Sequence, residues 1–106
     1  MVLSILALIV FQSGFASYYA LDGNKTASGE IFRSKAMTAA HRTLPFGTLV
    51  EVRRCDQSKS VIVKINDRGP FRKDRIIDLS ASAFKAIEKP GAGVTCVHLH
   101  IRKAVK

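Results

Sequence analysis

The sequence predicts a small all-β domain, either a closed barrel or a sandwich, with one short helix. Apolar and polar residues alternate with a period of two in residues 49–53, 61–65 and 97–101, as in half-buried strands. One segment, residues 80–89, changes to helical spacing. A chain of 106 residues can form one core, and strands this short and numerous are typical of barrels and sandwiches.

Turn signals between the strands set their order along the chain. An aromatic strand at residues 17–20 precedes a turn at residues 21–25, where Asp, Gly and Asn cluster. A loop containing Pro and Gly follows at residues 44–48. Residues 56–59 then separate two alternating strands by a four-residue turn, which predicts a β-hairpin.

The helical segment places Ala83, Phe84 and Ile87 on one face. A Ser or Asp before the segment would supply the N-cap, and Pro90 ends it. We interpret Asp78 as structural, because capping and the helix dipole both favour an acid just before a helix.

The N-terminal segment predicts export. Residues 2–11 are apolar, about as long as the core of a secretory signal and short for a membrane span. Small residues at 14–16 suit signal peptidase, which predicts a signal peptide over residues 1–16 and a domain over residues 17–106. The alternative is a buried first strand or helix, because no Lys or Arg precedes the run. No Cys follows the run, so we expect a periplasmic or secreted protein without a lipid anchor, contacting membrane only through an uncleaved signal.

The two cysteines, Cys55 and Cys96, leave more than one interpretation open. In an exported chain an even count favours a disulfide, whereas in the cytosol they would be two thiols. Strand parity places both on polar faces, where they could meet if their strands are neighbours. A weaker alternative is a metal site of Cys96 with His98 and His100, whose spacing matches no standard zinc signature.

Basic residues outnumber acidic ones, with 17 Lys and Arg against 8 Asp and Glu and a formal net charge of +9. This excess favours a polyanionic partner, through attraction that salt would screen. Nucleic acid, anionic membrane and anionic cell-wall polymer all fit the charge. The sequence contains no arginine-rich arm, zinc-finger spacing or ribonucleoprotein motif, which argues against nucleic acid.

Asp67 is the first candidate for chemistry, because it lies where an apolar strand gives way to a Gly-Pro turn. A carboxylate at such a junction is supported by a rigid element yet open to a ligand, and could transfer a proton. The alternative is a structural Asp that pairs with Arg68 or caps the turn.

Glu30 and His41 are weaker candidates when taken alone. Glu30 follows Ser and Gly in a flexible turn, and an ordinary solvated Glu is the alternative. His41 ends a strand of small residues; near either carboxylate it would bind a sugar hydroxyl or tune the acid, and otherwise it is structural. Tyr19 and Phe71 are aromatic candidates for stacking on a sugar.

Five segments taken together, in family order and over residues 14–101, resemble the rare lipoprotein A (RlpA) family. The segments are Ala16-Ser17-Tyr18-Tyr19, Thr26-Ala27-Ser28-Gly29-Glu30-Ile31-Phe32, Thr38-Ala39-Ala40-His41-Arg42-Thr43-Leu44-Pro45-Phe46-Gly47-Thr48, Ile65-Asn66-Asp67-Arg68-Gly69-Pro70-Phe71 and Arg75-Ile76-Ile77-Asp78-Leu79-Ser80.

The resemblance implies a six-stranded double-psi β-barrel with one or two short helices, the fold of expansins and barwin-like domains. It also implies a lytic transglycosylase that cleaves MurNAc–GlcNAc bonds of peptide-stripped peptidoglycan strands and leaves 1,6-anhydromuramyl ends. The alternative is an expansin-like or barwin-like module that binds wall polysaccharide without cutting it.

The family's catalytic Glu, His and Asp correspond to Glu30, His41 and Asp67. In the implied reaction Asp67 is the acid, either Asp67 or Glu30 is the base, and His41 is a positioning partner. The remaining expectations are a monomer, a glycan-strand partner, no metal or organic cofactor, and substrate contacts at Tyr19, Arg68 and Phe71.

Overall fold

Six strands form a closed β-barrel in the computed structural model, which describes residues 10–104. The elements are β1 (Gln12–Tyr19), β2 (Thr38–Ala40), β3 (Leu49–Arg54), β4 (Ser60–Asp67), β5 (Ile77–Ser80), α1 (Ala81–Ile87), a 3-10 helix (Pro90–Ala92) and β6 (Thr95–Lys103). Around the barrel the strand order is β1-β5-β2-β4-β3-β6. This architecture confirms the six-stranded barrel with short helices and decides against the sandwich.

The predicted hairpin is formed by β3 and β4. The two strands pair antiparallel, from Leu49 opposite Lys64 to Arg53 opposite Ser60. Alternate side chains on these strands face the interior, where Val50, Val52 and other apolar residues pack without exposure. The period-two pattern in the sequence therefore marks the strands correctly.

A disulfide joins Cys55, just after β3, to Cys96 in β6. The two strands pair antiparallel with Arg54 opposite Val97, and Cys55 N donates to Cys96 O (3.0 Å). This pairing brings the two Cα atoms to 5.4 Å, an ordinary separation for a disulfide. The bridge connects residues 41 positions apart and ties the hairpin to the last strand.

Helix α1 packs Ala83, Phe84 and Ile87 into the core, where all three are fully buried. Its N-cap is Ser80, whose Oγ accepts a hydrogen bond from Ala83 N (3.2 Å). The capping role predicted for Asp78 is therefore wrong. The cap needs an acceptor directly before the first helical turn, and Asp78 lies two residues too early, inside β5.

Strand β1 begins before the predicted aromatic strand. Residues 12–16 pair antiparallel with β6, and residues 16–19 pair parallel with β5. The predicted signal-peptide boundary after Ala16 thus falls within a paired strand, and residues 1–9 of that predicted peptide lie outside the described residues. Within residues 10–104, no helix is long and apolar enough to cross a membrane.

Strand β2 brings β4 and β5 together by pairing with both. Its register with β4 shifts by one residue, because Ala39 lies opposite Ile65 but Ala40 lies opposite Asp67. Ala40 also lies opposite Asp78 of β5. One row of residues therefore crosses three strands, with Ala40 at its centre and an aspartate on each side.

Candidate active site

Asp67 ends β4, and its carboxylate accepts three hydrogen bonds. Tyr19 Oη donates to Oδ2 (3.0 Å), while the backbone N–H groups of Ala27 and Arg68 donate to Oδ1 (2.8 and 2.9 Å). All three donors are neutral groups on three different segments of the chain. They fix the orientation of the carboxylate without neutralising its negative charge.

The Arg68 side chain turns away from the neighbouring carboxylate. Its Nη1 donates to the carbonyl oxygens of His41 (3.1 Å) and Leu44 (2.8 Å). The guanidinium carbon lies 4.0 Å from the centre of the Phe46 ring, in a cation–π contact. The alternative in which Asp67 is neutralised by the Arg68 side chain is therefore wrong.

A cleft of about 410 Å³ opens above Asp67. Phe71 at this cleft is 89% exposed, and an exposed ring beside an acid suits stacking against the apolar face of a sugar. The three predicted substrate contacts all line the cleft. Its lining residues are Tyr19, Leu21, Ala27, Ala40, Asp67, Arg68, Gly69, Phe71 and Asp78.

Tyr19 is held as a neutral hydrogen-bond donor in this cleft. Its ring packs on Phe32, with the ring centroids 4.4 Å apart. Burial raises the pKa of Tyr19, and the charge and hydrogen bond of Asp67 and the charge of Asp78 raise it further. The phenol therefore stays protonated across the neutral pH range and keeps its hydrogen bond to Asp67.

Asp78 also lines the cleft, a position that its interpretation as a structural residue did not predict. Ser17 of β1 donates its hydroxyl to Asp78 Oδ1, and the two residues are opposite each other in the β1–β5 pairing. The signal in the sequence was an acid between two apolar residues, Ile77 and Leu79. Both are fully buried in the structure. An acid inside a buried strand needs a polar environment, which the cleft provides.

Glu30 contacts β4 through Lys64 and Asn66, two residues that do not line the cleft. Its carboxylate accepts from Lys64 Nζ (2.8 Å) and Asn66 Nδ2 (3.0 Å), and its side chain is 47% exposed. The hydrogen bonds from Lys64 and Asn66 lower the pKa of Glu30. The structure thus brings Glu30 to the residue beside Asp67, but with its carboxylate already occupied by a cation and an amide.

The loop that carries Glu30 crosses the end of β4. Ser28 N donates to Asn66 O (3.2 Å), and Ala27 N donates to the Asp67 carboxylate. Glu30 binds Lys64 and Asn66 of β4, and the same loop binds the next residue of the strand, Asp67, through Ala27 N. Glu30 is therefore placed to anchor the segment that supplies a donor to Asp67.

His41 is buried, with 3% of its surface exposed, and its ring contacts a loop instead of the cleft lining. Nδ1 accepts from the backbone N–H groups of Thr43 and Leu44 (both 3.1 Å), so Nε2 carries the proton and donates to Gln12 Oε1 (2.8 Å). Burial, followed by the charges of Arg42 and Arg68, lowers the pKa of His41 to about 4.

The backbone of His41, in contrast, reaches the site directly. Its N–H donates to Asp67 O (3.1 Å), and its carbonyl oxygen accepts from Arg68. The His41 ring fixes the following loop by accepting from Thr43 N and Leu44 N. The carbonyl oxygens of His41 and Leu44 in turn hold the Arg68 side chain. Sequence interpretation did not find Gln12 as the ring's partner, because it belonged to the predicted signal peptide.

The alternative metal site is not formed by the residues considered for it. Cys96 is bonded to Cys55, and His98 Nδ1 is hydrogen-bonded to Ser13 Oγ (2.7 Å). Across residues 10–104, no three His, Cys, Asp or Glu side chains are grouped as metal ligands would be.

The arrangement defines the class of protein as a double-psi β-barrel. The Streptomyces papain inhibitor (SPI) superposes with a TM-score of 0.70 at 23% identity, covering 87% of this chain and 96% of that one. The apo Clavibacter michiganensis expansin gives a TM-score of 0.70 at 22% identity, covering 89% of this chain and 51% of that one. At these identities the likeness shows the fold alone, and it confirms the predicted barrel type.

Residues 11–99 match the family model described as "Lytic transglycolase", and the chain belongs to that family. The "Probable endolytic peptidoglycan transglycosylase RlpA" of Treponema pallidum is 53% identical over 94 residues, or 87% of this chain and 30% of that protein. The "Endolytic peptidoglycan transglycosylase RlpA" of Haemophilus influenzae is 47% identical over 97 residues, or 87% and 34%. The resemblance to the RlpA family is confirmed, and the chain spans about a third of the length of these relatives.

Proposed function

We propose that this domain is a lytic transglycosylase that cleaves MurNAc–GlcNAc bonds in peptidoglycan glycan strands. The observation that carries the proposal is the Asp67 carboxylate, fixed by three neutral donors in an open cleft of about 410 Å³. Such an acid can exchange a proton with a ligand without first breaking an ion pair. Family membership over residues 11–99 supports the same chemistry.

In the proposed reaction, Asp67 begins protonated and donates its proton to the glycosidic oxygen. The C1–O4 bond breaks as positive charge develops on the muramyl ring. The muramyl 6-hydroxyl attacks C1 in place of water, which forms the 1,6-anhydro ring, and its proton passes to a carboxylate. No metal or organic cofactor enters any of these steps.

The cleft surroundings suit a long anionic sugar polymer. Phe71 offers an exposed ring for stacking, and Tyr19 and Arg68 add polar groups along the same wall. The net charge of +9 attracts a polymer that carries carboxylates, with a strength that falls as salt is added. These features support a glycan strand as the substrate.

We assign Glu30 and His41 positioning roles in this reaction. Glu30 is engaged by Lys64 and Asn66, and the His41 ring by Gln12 and a backbone loop. Each residue supports a segment that contacts Asp67 or its neighbour Arg68. Both would therefore matter for activity without exchanging a proton with the sugar.

Incubation with peptide-stripped glycan strands, followed by mass spectrometry of the ends, tests the proposal. The wild-type chain should produce 1,6-anhydromuramyl ends, and Asp67→Asn should lower turnover by about 100-fold or more, because general acid catalysis contributes about 10²–10⁴-fold. Asp74→Asn, the same change at an exposed acid paired with Arg72, is the matched control and should cut normally.

A second outcome would favour a module that binds without cutting. Phe71 makes this alternative specific, since an exposed stacking ring would retain glycan even without catalysis. Wild-type protein that pellets with glycan and generates no anhydro ends would support the binder. Equal cutting by wild type and Asp67→Asn would remove Asp67 from the mechanism.

We also propose that the chain is exported, to the periplasm or the medium. The disulfide favours an oxidising compartment, and a peptidoglycan substrate lies outside the cytoplasm. Because residues 12–16 complete β1, we place the end of the export signal before Gln12 instead of after Ala16. N-terminal sequencing of the exported protein checks this, and a mature chain starting at Ser17 would refute it.

A further inference from the structure

The cleft contains a second carboxylate, Asp78, in the same row of residues as Asp67. The row runs through Ser17 of β1, Asp78 of β5, Ala40 of β2 and Asp67 of β4, each opposite the next in the strand pairing. Residues directly opposite each other on neighbouring strands project from the same face of a sheet. The two aspartates therefore face one cleft, and both line it.

The spacing in this row suits a pair of carboxylates that act on one sugar. Neighbouring strands lie about 4.8 Å apart, so the Cα atoms of Asp67 and Asp78 are separated by two such steps, roughly 9–10 Å. Ala40 between them contributes a single methyl group, which leaves the space above it open. From this Cα separation, two side chains on the same face can bring their carboxyl groups within the roughly 5–9.5 Å found between paired acids that act on glycosidic bonds.

Neighbouring groups orient Asp78 without neutralising it. Ser17, which is 4% exposed, donates its hydroxyl to Asp78 Oδ1 from the adjacent strand. The charges of Asp67 and Asp78 both raise the pKa of Tyr19, so the phenol lies within the electrostatic reach of each. Asp78 is therefore oriented by a buried serine through Oδ1 and at the same time lines the cleft.

The other candidate for a second carboxylate, Glu30, differs on each of these points. It is bound to Lys64 and Asn66 and lies outside the group of residues that line the cleft. A base must accept a proton in the transition state, and an ammonium group 2.8 Å away opposes that step. Within residues 10–104, Asp67 and Asp78 are the two carboxylates that line this cleft.

We propose that Asp78 is the catalytic base that accepts the muramyl 6-hydroxyl proton while Asp67 acts as the acid. This inference rests on the proposed transglycosylase function. The Asp67 proton moves to the glycosidic oxygen, and the C1–O4 bond breaks with its electron pair remaining on O4. A lone pair of O6 forms the C1–O6 bond, and the O6 proton moves to Asp78. Exchange with solvent then returns a proton to Asp67 and removes one from Asp78.

The test is the pH–rate profile of Asp78→Asn on peptide-stripped glycan strands, read as anhydromuramyl ends. Turnover should fall by about 100-fold or more, as expected for loss of a general base. The acidic limb of the profile should disappear, because that limb reports ionisation of the base, while the alkaline limb of the acid remains. Retained glycan pelleting and an unchanged melting temperature would show that the variant is folded and binds.

Ser17→Ala provides a milder second variant that keeps the carboxylate. Losing a donor to the ionised form makes that form less favourable, so the acidic limb should move to higher pH. A structural role for this row would lower the rate without moving either limb. Asp74→Asn is the control and should retain the wild-type profile.

The outcomes separate the inference from the proposed function. If wild type yields anhydromuramyl ends but Asp78→Asn keeps both limbs at wild-type turnover, the base assignment is overturned and the transglycosylase stands. If wild type yields no such ends under any condition, both are overturned. A Glu30→Gln variant that loses the acidic limb would transfer the base role to Glu30 and overturn the inference.

Discussion

Acidic residues are used in opposite ways in two parts of the barrel. One is the cleft row of Ser17, Asp78, Ala40 and Asp67, and the other is the paired strands β3 and β6, called the β3–β6 wall below. On the wall, Glu51 is almost buried and is paired with Arg53 and with Arg102, the latter at 3.0 Å. In the cleft, Asp67 and Asp78 are bound by hydroxyl and backbone N–H donors. Across residues 10–104, neither cleft aspartate has a Lys or Arg nitrogen within 4.0 Å.

This difference separates an acid that is held in ion pairs from acids that are held by neutral donors. A carboxylate between two guanidinium groups resists protonation, because the proton would displace favourable charge interactions. A carboxylate oriented by neutral donors keeps its position without a cation bound to it. In a chain with a net charge of +9, leaving two neighbouring acids without cations is the feature that distinguishes the cleft.

Removing the disulfide should give the largest effect on stability and test whether the wall is separate from the cleft. Cross-linking residues 41 positions apart contributes about 4 kcal/mol in the chain-entropy model, so Cys55→Ser with Cys96→Ser should lower the free energy of unfolding by about that amount. Urea unfolding measures the change. Turnover per folded molecule should remain that of wild type, and a proportional loss of turnover would show that the wall and the cleft are coupled.

Glu51→Gln should have a smaller effect in the same direction. It leaves two arginines without their shared carboxylate, and partly exposed pairs contribute little, so we expect a loss of about 1 kcal/mol. Chemical unfolding checks the stability, and an assay on glycan strands checks the turnover. Loss of turnover at full stability would show that Glu51, like the cleft acids, contributes to activity.

At pH 7 the titration of His41 should give the smallest effect, because the ring is neutral in both states, and its contribution appears only as the pH falls. Its pKa is about 4 in the fold against 6.5 as the ordinary value, so between these values the unfolded chain binds a proton that the fold excludes. Stability from this group is therefore complete above pH 6.5 and is lost progressively as the pH falls towards 4.

His41→Asn removes this titration and keeps an oxygen acceptor for the loop N–H groups of Thr43 and Leu44. The variant's free energy of unfolding should consequently change less than that of wild type between pH 7 and pH 4.5. The urea midpoint at each pH measures it. Identical pH dependence in the two proteins would mean that the ring is not held in the neutral form.

Local patterns in the sequence predicted the parts of the fold that depend on neighbouring residues. The β3–β4 hairpin followed from alternation around a four-residue turn, and the placement of Cys55 and Cys96 followed from strand parity. The strand-end position of Asp67 followed from the change from an apolar run to a Gly-Pro turn. Each of these required only residues close together in the chain, or one face of one strand.

The remaining features depend on pairing between distant strands. Asp78 enters the cleft because β5 lies between β1 and β2, an order that residues 77–80 do not specify by themselves. The resemblance supplied the residue types of Glu30 and His41 but not their environments, which come from Lys64 and Gln12 far along the chain. The apolar N-terminus likewise hid the start of β1 within the predicted signal peptide.

The one-residue register shift between β2 and β4 determines which side chain faces the cleft. Without it, Ala40 would lie opposite Asn66, and strand alternation would turn Asp67 to the other face. The shift instead leaves Asn66 to bind Glu30 and turns the Asp67 carboxylate into the cleft. A deletion or insertion of one residue at this point would replace the acid in the cleft with an amide, even though the chain would still contain Asp67.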